Sequence, residues 1–308
     1  MNILVTSPSF IATDGVHKEL LNKHFKSVES VAGPHNSVSM MQFADKFDGI
    51  ICGDDEITSD FIRASSQTLK VVSKYGIGLD KIDIAALEKN KIKLYNCAGV
   101  NSHVVAEHAM GLVIAGLRNF FPSIIATNSG IWNRLTGRGL SQSCVGIVGY
   151  GNVGRSLRKL LQPLVKNILV YDVNFKVQSS QENCDFITDL GELFSKVDVI
   201  CLCVSLNPTT RGLVNHDSIS QFKEGMILVN VSRGDVVEES AILNGLETKK
   251  LKCYLTDVMS DEYNFTSSKL VGQDGIYITP HIASRTMENI EQQGLMSVEN
   301  LLKGFNIL

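Results

Sequence analysis

Short apolar runs recur along the chain, separated by stretches that each leave room for a helix, which is the alternation of an open α/β sheet. Asn2-Ile3-Leu4-Val5 predicts a first strand, and Asp48–Cys52, Leu69–Ser73 and Ile92–Tyr95 predict further strands before about residue 98. A second series follows at Val145–Val148, Ile168–Tyr171, Val197–Val204, Met226–Val231, Leu251–Thr256 and Ile276–Thr279. Between the two series, Ser102–Arg118 reads as a helix that is apolar or small on every side except at Glu107 and His108, so it must be buried. Phe120, Phe121 and Trp132 then add aromatic surface of the kind a partner subunit covers, and a homodimer is expected. Thr286–Leu302 predicts a last helix after Pro280.

At 308 residues the chain exceeds what one hydrophobic core usually organises, so two domains are expected. A formal net charge of -3 without a dense Lys/Arg block argues against nucleic acid or an anionic membrane as partner and favours a small molecule. The seven cysteines, Cys52, Cys97, Cys144, Cys184, Cys201, Cys203 and Cys253, include no C-x-x-C pair and mostly stand in apolar runs. They read as reduced thiols of a cytoplasmic protein, and no metal site is expected. The first residues lack a basic leader and a small-residue cleavage site, and no stretch is long and apolar enough to span a bilayer.

One turn changes the picture most. Gly149-Tyr150-Gly151-Asn152-Val153-Gly154 follows the strand Val145–Val148 and opens a helix in which Val153, Leu157, Leu160 and Leu161 recur at helical spacing. A dinucleotide pyrophosphate needs backbone N–H groups at a helix N-terminus with no side chains in the way, and glycines at these positions meet both needs. The next strand ends at Asp172, where a carboxylate can accept from ribose hydroxyls and repel the extra phosphate of NADP. No arginine follows among Val173, Asn174 and Phe175, so the cofactor read from this turn is NAD.

Three further groups stand just beyond predicted strands, where open α/β sheets place their ligands. Arg233, in Asn230-Val231-Ser232-Arg233-Gly234, offers a planar two-pronged cation that matches a carboxylate. His281, in Thr279-Pro280-His281-Ile282, can give a proton to a carbonyl oxygen and remove it from a hydroxyl. Glu262, or Asp261 beside it, could hold the second ring nitrogen and fix the tautomer.

With these motifs in place, the chain resembles the D-isomer-specific 2-hydroxyacid dehydrogenases, near their phosphoglycerate dehydrogenase branch. The likeness runs through Tyr75-Gly76-Ile77-Gly78-Leu79-Asp80, Val105-Ala106-Glu107, Gly149 to Gly154, Thr210-Arg211-Gly212-Leu213-Val214-Asn215, Ser232-Arg233-Gly234, Asp257-Val258 and Thr279-Pro280-His281-Ile282. It implies two open parallel-sheet domains, with a Rossmann NAD-binding domain at 99–282 inserted in a flavodoxin-like substrate or lid domain at 1–98 plus 283–308. It also implies that Arg233 binds the substrate carboxylate, that His281 is the acid/base and that Glu262, selected over Asp261 by gapless counting from Asp257, is its partner. Ile77 and Gly78, with Arg233 and His281, become the substrate contacts, and Asp257 faces the nicotinamide carboxamide. The cofactor contacts extend beyond the glycine turn and Asp172 to Cys203, Val204, Ser205, Thr210, Val231, Asp257 and His281.

The departures from the family pattern carry expectations of their own. Tyr263 follows Glu262 where the family usually has proline, so a different seat for the loop is expected. Cys203 and Ser205 stand where histidine and proline are common. Asp54, Asp55 and Glu56 occupy a stretch where several phosphoglycerate dehydrogenases carry arginine; they would repel a substrate phosphate, unless they form only a turn before a helix capped by Thr58. Lys74 or Arg63 could still supply a cation there. A glyoxylate/hydroxypyruvate reductase or D-lactate-type enzyme therefore stays open, as does a NAD-sensing corepressor-like binding protein. With the chain ending at Leu308 soon after the last helix, no appended serine-sensing domain is expected.

Overall fold

The computed structural model describes residues 1–173 and 185–308; Asn174, Phe175 and Cys184 lie outside the described residues. The chain divides into two compact units, Met1–Asn101 with Ser284–Leu308, and Ser102–Ala283.

The first unit is a five-stranded parallel sheet built from β1 (Asn2–Val5), β2 (Ser27–Ser30), β3 (Gly49–Cys52), β4 (Val71–Lys74) and β5 (Lys93–Asn96) in the order β2-β1-β3-β4-β5. Its strand order reverses between β1 and β3, which makes that edge the switch point of an open sheet. The central strands β3 and β4 are buried on both faces; β3 is an unbroken apolar run, β4 ends in the buried polar residues Ser73 and Lys74, and β2, Ser27-Val28-Glu29-Ser30, is a polar edge strand. Thr58 caps the helix Ser59–Ala64 by accepting from the Phe61 N–H. The C-terminal helix Met287–Gly304, capped by Thr286, returns to this unit. It buries Val298, Leu301 and Leu302 against Ile3, Val5, Ile51 and Val71, and its Ser297 carbonyl accepts from Ser73 Oγ at 2.9 Å.

The second unit is a seven-stranded parallel sheet of β6 (Cys144–Val148), β7 (Asn167–Tyr171), β8 (Asp185–Phe186), β9 (Val199–Leu202), β10 (Met226–Asn230), β11 (Leu251–Thr256) and β12 (Ile276–Ile278), in the order β12-β11-β10-β9-β6-β7-β8. The order reverses between β6 and β9, so the glycine turn that leaves β6 stands at this sheet's switch point. The apolar helix spans Ser102–Arg118 and buries Val105, Ala106, Ala109, Leu112, Val113 and Leu117 against β6, β9, β10 and β11. The next helix, Phe120–Asn128, buries none of its residues. Among the described residues no single helix is long and apolar enough to cross a membrane. None of the six described cysteines forms a disulfide. Burial pushes the thiols of Cys52, Cys203 and Cys253 up to about 12, so they stay protonated.

Candidate active site

In the second unit the three glycines of the turn do different work. Gly149 has φ +94, and a Cβ there would lie 2.7 Å from the Cys203 carbonyl oxygen, so only glycine fits. A Cβ on Gly154, inside the helix Asn152–Leu161, would lie 2.1 Å from the Gly149 oxygen; this glycine lets helix and strand pack closely. At Gly151 a Cβ would meet no heavy atom within 4 Å, and its φ of -75 suits any residue. Neither packing nor conformation asks for glycine at Gly151, and the open space is what an approaching pyrophosphate needs. Asn152 and Val153 form the first turn of the helix, whose N–H groups face outward from that end. The turn is tied to the acid at the end of β7, since the Tyr150 N–H donates to Asp172 Oδ2 at 2.7 Å. Beside that carboxylate lies a cavity of about 310 Å3 lined by Tyr171, Asp172, Val173, Phe186, Ile187 and Thr188. The residues present therefore fit a dinucleotide.

The loop after β9 is fixed from both sides. The Cys203 N–H donates to the Val148 carbonyl at 2.8 Å, and the Val204 N–H donates to Ser232 Oγ at 3.0 Å. Thr210 Oγ1 donates to the Ser205 carbonyl at 2.7 Å and accepts from the Asn207 N–H, so in this structure Thr210 shapes the loop that carries Ser205.

Arg233, Asp257 and His281 follow β10, β11 and β12, three strands that are neighbours in that order. Arg233 is half-buried, with Nη1 donating to the Ser232 carbonyl at 2.9 Å. Val231 precedes it, half-buried at the strand end. His281 Nδ1 lies 2.9 Å from Glu262 Oε2, with the two side chains 32% and 38% exposed. A carboxylate can only accept, so Nδ1 carries the hydrogen and Nε2 is the nitrogen left for proton transfer. Asp261, the other acid left open by the sequence, turns away and accepts from the N–H groups of Tyr263 and Asn264 at 3.1 and 3.0 Å. Tyr263 thus donates a backbone bond that a proline could not make. It stabilises the same loop by other means.

Asp257 is 1% exposed. Its carboxylate accepts from Thr279 Oγ1 at 2.6 Å and from the backbone N–H groups of Ile282 and Ala283 at 2.9 and 2.8 Å, and its own carbonyl accepts from the His281 N–H. His281 sits in the left-handed region at φ +52, a conformation that a non-glycine residue keeps only when its surroundings hold it. Asp257 supplies that hold. His108, from the long apolar helix, lies 3.1 Å from Thr279 Oγ1 and 3.6 Å from Asp257 Oδ1. His108, Thr279 and the support under Arg233 described below escaped the sequence reading; for His108 the available signal was a polar residue on an otherwise apolar helix.

In the first unit, Ile77 and Gly78 follow β4. Their loop turns at Gly76, φ +123, and is pinned by the Cys97 N–H on the Gly76 carbonyl and by Asn96 Nδ2 on the Ile77 carbonyl at 2.9 Å. The expected cations are both engaged: Lys74 is buried with Nζ 2.6 Å from Asp54 Oδ1, and Arg63 pairs with Asp60 at 2.6 Å. Asp55 is buried, and Glu56 accepts from the Ser37 N–H at 2.7 Å, so this stretch is an ordered internal turn rather than a solvated one.

Residues 110–283 match the family described as D-isomer specific 2-hydroxyacid dehydrogenase, NAD binding domain. A hydroxypyruvate reductase of Thermotoga maritima is 32% identical over 259 residues, covering 82% of each chain. A D-3-phosphoglycerate dehydrogenase of Archaeoglobus fulgidus is 28% identical over 313 residues; the match covers all of this chain but 58% of that protein's length. A D-lactate dehydrogenase of Aquifex aeolicus, crystallised with NAD and lactic acid, shares the fold with a TM-score of 0.86 at 23% identity, over 99% of this chain and 96% of that one.

Proposed function

The chain belongs to the D-isomer-specific 2-hydroxyacid dehydrogenases, and from that premise we propose that it moves hydride reversibly between NAD and C2 of a small 2-hydroxy or 2-oxo acid. The observation that carries this is the His281–Glu262 pair at 2.9 Å, two strands along the sheet from Arg233. When bound, the cofactor would supply the redox chemistry, donating hydride as NADH in reduction and accepting it as the oxidised form in the reverse direction. Arg233 grips the substrate carboxylate through its fork and draws electron density from the neighbouring carbonyl. His281 gives its Nε2 proton to the C2 oxygen during reduction and recovers it during oxidation, while Glu262 keeps the ring in one tautomer. The backbone at Ile77 and Gly78 is proposed as a further carboxylate contact. Asp172 is assigned to the ribose, and the turn Gly149–Gly154 with Cys203, Val204, Ser205, Thr210 and Val231 to the rest of the cofactor.

The substrate end favours an unphosphorylated acid. Lys74, the buried cation of the first unit, is already matched by Asp54, with no arginine in the Cys52–Glu56 stretch to meet a phosphate. Loss of NADH absorbance with glyoxylate, hydroxypyruvate, pyruvate and 3-phosphohydroxypyruvate tests both levels. Turnover of the first three above the last is expected; preference for the phosphorylated acid would overturn the narrower reading. No turnover on any, with NADH still bound, would remove the enzyme reading and leave a NAD-sensing binding protein.

We also propose a homodimer formed through the helix Phe120–Asn128 and the segment after it, where Ile124, Ile125, Ile131 and Trp132 are exposed, Trp132 at 79%. Sedimentation velocity should give twice the chain mass; a monomer at micromolar concentration would defeat it.

A further inference from the structure

Strand β10 runs Met226-Ile227-Leu228-Val229-Asn230, four apolar residues ended by an amide that is 0% exposed. Burying an amide among apolar neighbours costs about 1–3 kcal/mol unless each of its polar atoms finds a partner. Here each does. Asn230 Oδ1 accepts from the Ser232 N–H at 2.9 Å, and Nδ2 donates to the Arg233 carbonyl at 2.9 Å and to the Tyr254 hydroxyl at 3.1 Å. The orientation is unambiguous, because an N–H must meet the oxygen and a carbonyl must meet the nitrogen. Tyr254, on β11, is itself buried, and burial pushes its phenol up to about 12, so it presents a neutral hydroxyl at any working pH.

One side chain therefore holds the Val231–Ser232 and Arg233–Gly234 peptide units, which bracket the Ser232 carbonyl that receives Arg233 Nη1. The same loop is closed from other directions. Ser232 Oγ donates to the Leu202 carbonyl at 2.8 Å, and a Cβ on Gly234 would lie 2.0 Å from the Ser260 nitrogen, so the Met259–Ser260 backbone packs directly on it. Ser232 and Arg233 are thus fixed by hydrogen bonds and Gly234 by close packing, and what remains to be aimed is the guanidinium.

We propose that Asn230 is a positioning residue for Arg233: its buried amide sets the backbone from which the guanidinium reaches the substrate carboxylate, and the Tyr254 hydroxyl sets the amide. The proposal rests on the function proposed above, and its test separates the two. In Asn230→Ala, kcat/KM for the preferred 2-oxo acid should fall about tenfold through KM, with KM for NADH within about twofold of wild type. In an Arg233→Ala background the same substitution should cost less than about twofold, because the group it positions is gone. An equal loss in both backgrounds, or a parallel loss of NADH affinity, would show a general structural role and overturn the proposal. Tyr254→Phe, which removes one hydroxyl, should shift KM in the same direction by about two- to threefold and keeps the question open to test should Asn230→Ala not fold. Hydrogen exchange reads the same point without turnover: the Ser232–Gly234 amides should exchange faster in both variants while the Gly149–Gly154 amides do not change. Unchanged exchange at Ser232 would sink the proposal even if the enzyme is active, and faster exchange would support it even if no 2-oxo acid is reduced.

Discussion

Two buried aspartates, one in each unit, are built alike. Asp55 accepts from the N–H groups of Gly53 and His35 at 2.8 and 2.7 Å and from the Thr6 hydroxyl; Asp257 accepts from the N–H groups of Ile282 and Ala283 and from the Thr279 hydroxyl. Each is 1% exposed, and each stands just past a parallel strand of its own sheet. What separates them is the loop they hold. The Asp55 loop carries Asp54, which is spent on the buried Lys74, whereas the Asp257 loop carries His281, whose ring stays a third exposed beside Glu262. A fully buried carboxylate with three donors is a backbone clamp in both places. Chemistry is expected only where the clamp presents a half-exposed titratable group.

The sharpest break of this comparison is removal of that group. His281→Ala should lower kcat by roughly two to four orders of magnitude while NADH binding persists, as tryptophan-to-NADH energy transfer from Trp132 or NADH fluorescence would report. Undiminished turnover would take His281 out of the mechanism. Arg233→Lys keeps the charge but loses the fork, and KM for the 2-oxo acid should rise by about ten- to a hundredfold, with a smaller change in kcat; an unchanged KM would refute the carboxylate contact.

The clamps themselves come next. Asp55→Asn and Asp257→Asn each replace an acceptor-only group by one with an NH2 facing backbone donors, and each should cost about 1–3 kcal/mol of stability in urea titration. Only Asp257→Asn should also lower kcat, by about tenfold, through the released His281 loop. A comparable fall in kcat for Asp55→Asn would erase the distinction. A fall in NADH affinity for Asp257→Asn would instead favour the nicotinamide contact that the family resemblance implies.

The strands buried on both faces were the plainest in the sequence. β3, β6 and β10 are continuous apolar runs, and such runs have one reading in a parallel sheet. β2, Ser27-Val28-Glu29-Ser30, left no such trace, because an edge strand exposed along one side needs little apolar surface. At the site, residue type and spacing pointed to Arg233, Glu262 and His281, and geometry adds which acid meets the imidazole. The supporting layer was hidden for a physical reason. Asn230, Thr279 and Asp55 act through hydrogen bonds whose partners are set by three-dimensional packing, and a polar residue at a strand end looks the same whether it faces water or clamps a loop. Lys74 illustrates the risk: read as a cation to spare, it is one whose charge Asp54 already offsets.

The smallest expected effect lies at the other end of the second sheet's strands, where they begin. Asp198 precedes β9 and accepts from the Cys144 N–H at 3.0 Å, from Lys223 Nζ at 2.5 Å and from Arg138, with its side chain 11% exposed. Burial pushes its carboxyl up, but the Cys144 N–H and the two cations pull harder, and the result lies below the ordinary carboxylate value. A folded-state value below the unfolded one gives stability that is fully present above the unfolded value, about 3.9, and is lost as the pH falls through the folded one. Both cations are about half exposed, so solvent screens the pair, and Asp198→Asn should cost only about 1 kcal/mol at about pH 7. In strong acid, below the folded-state value, the difference from wild type should vanish, because both side chains are then uncharged. Since this end of the strands carries none of the groups assigned to chemistry, kcat should not move. An equal loss of stability at neutral and strongly acid pH would mean that Asp198 acts by packing rather than by charge, and a fall in kcat would mean that the two ends of the strands are coupled.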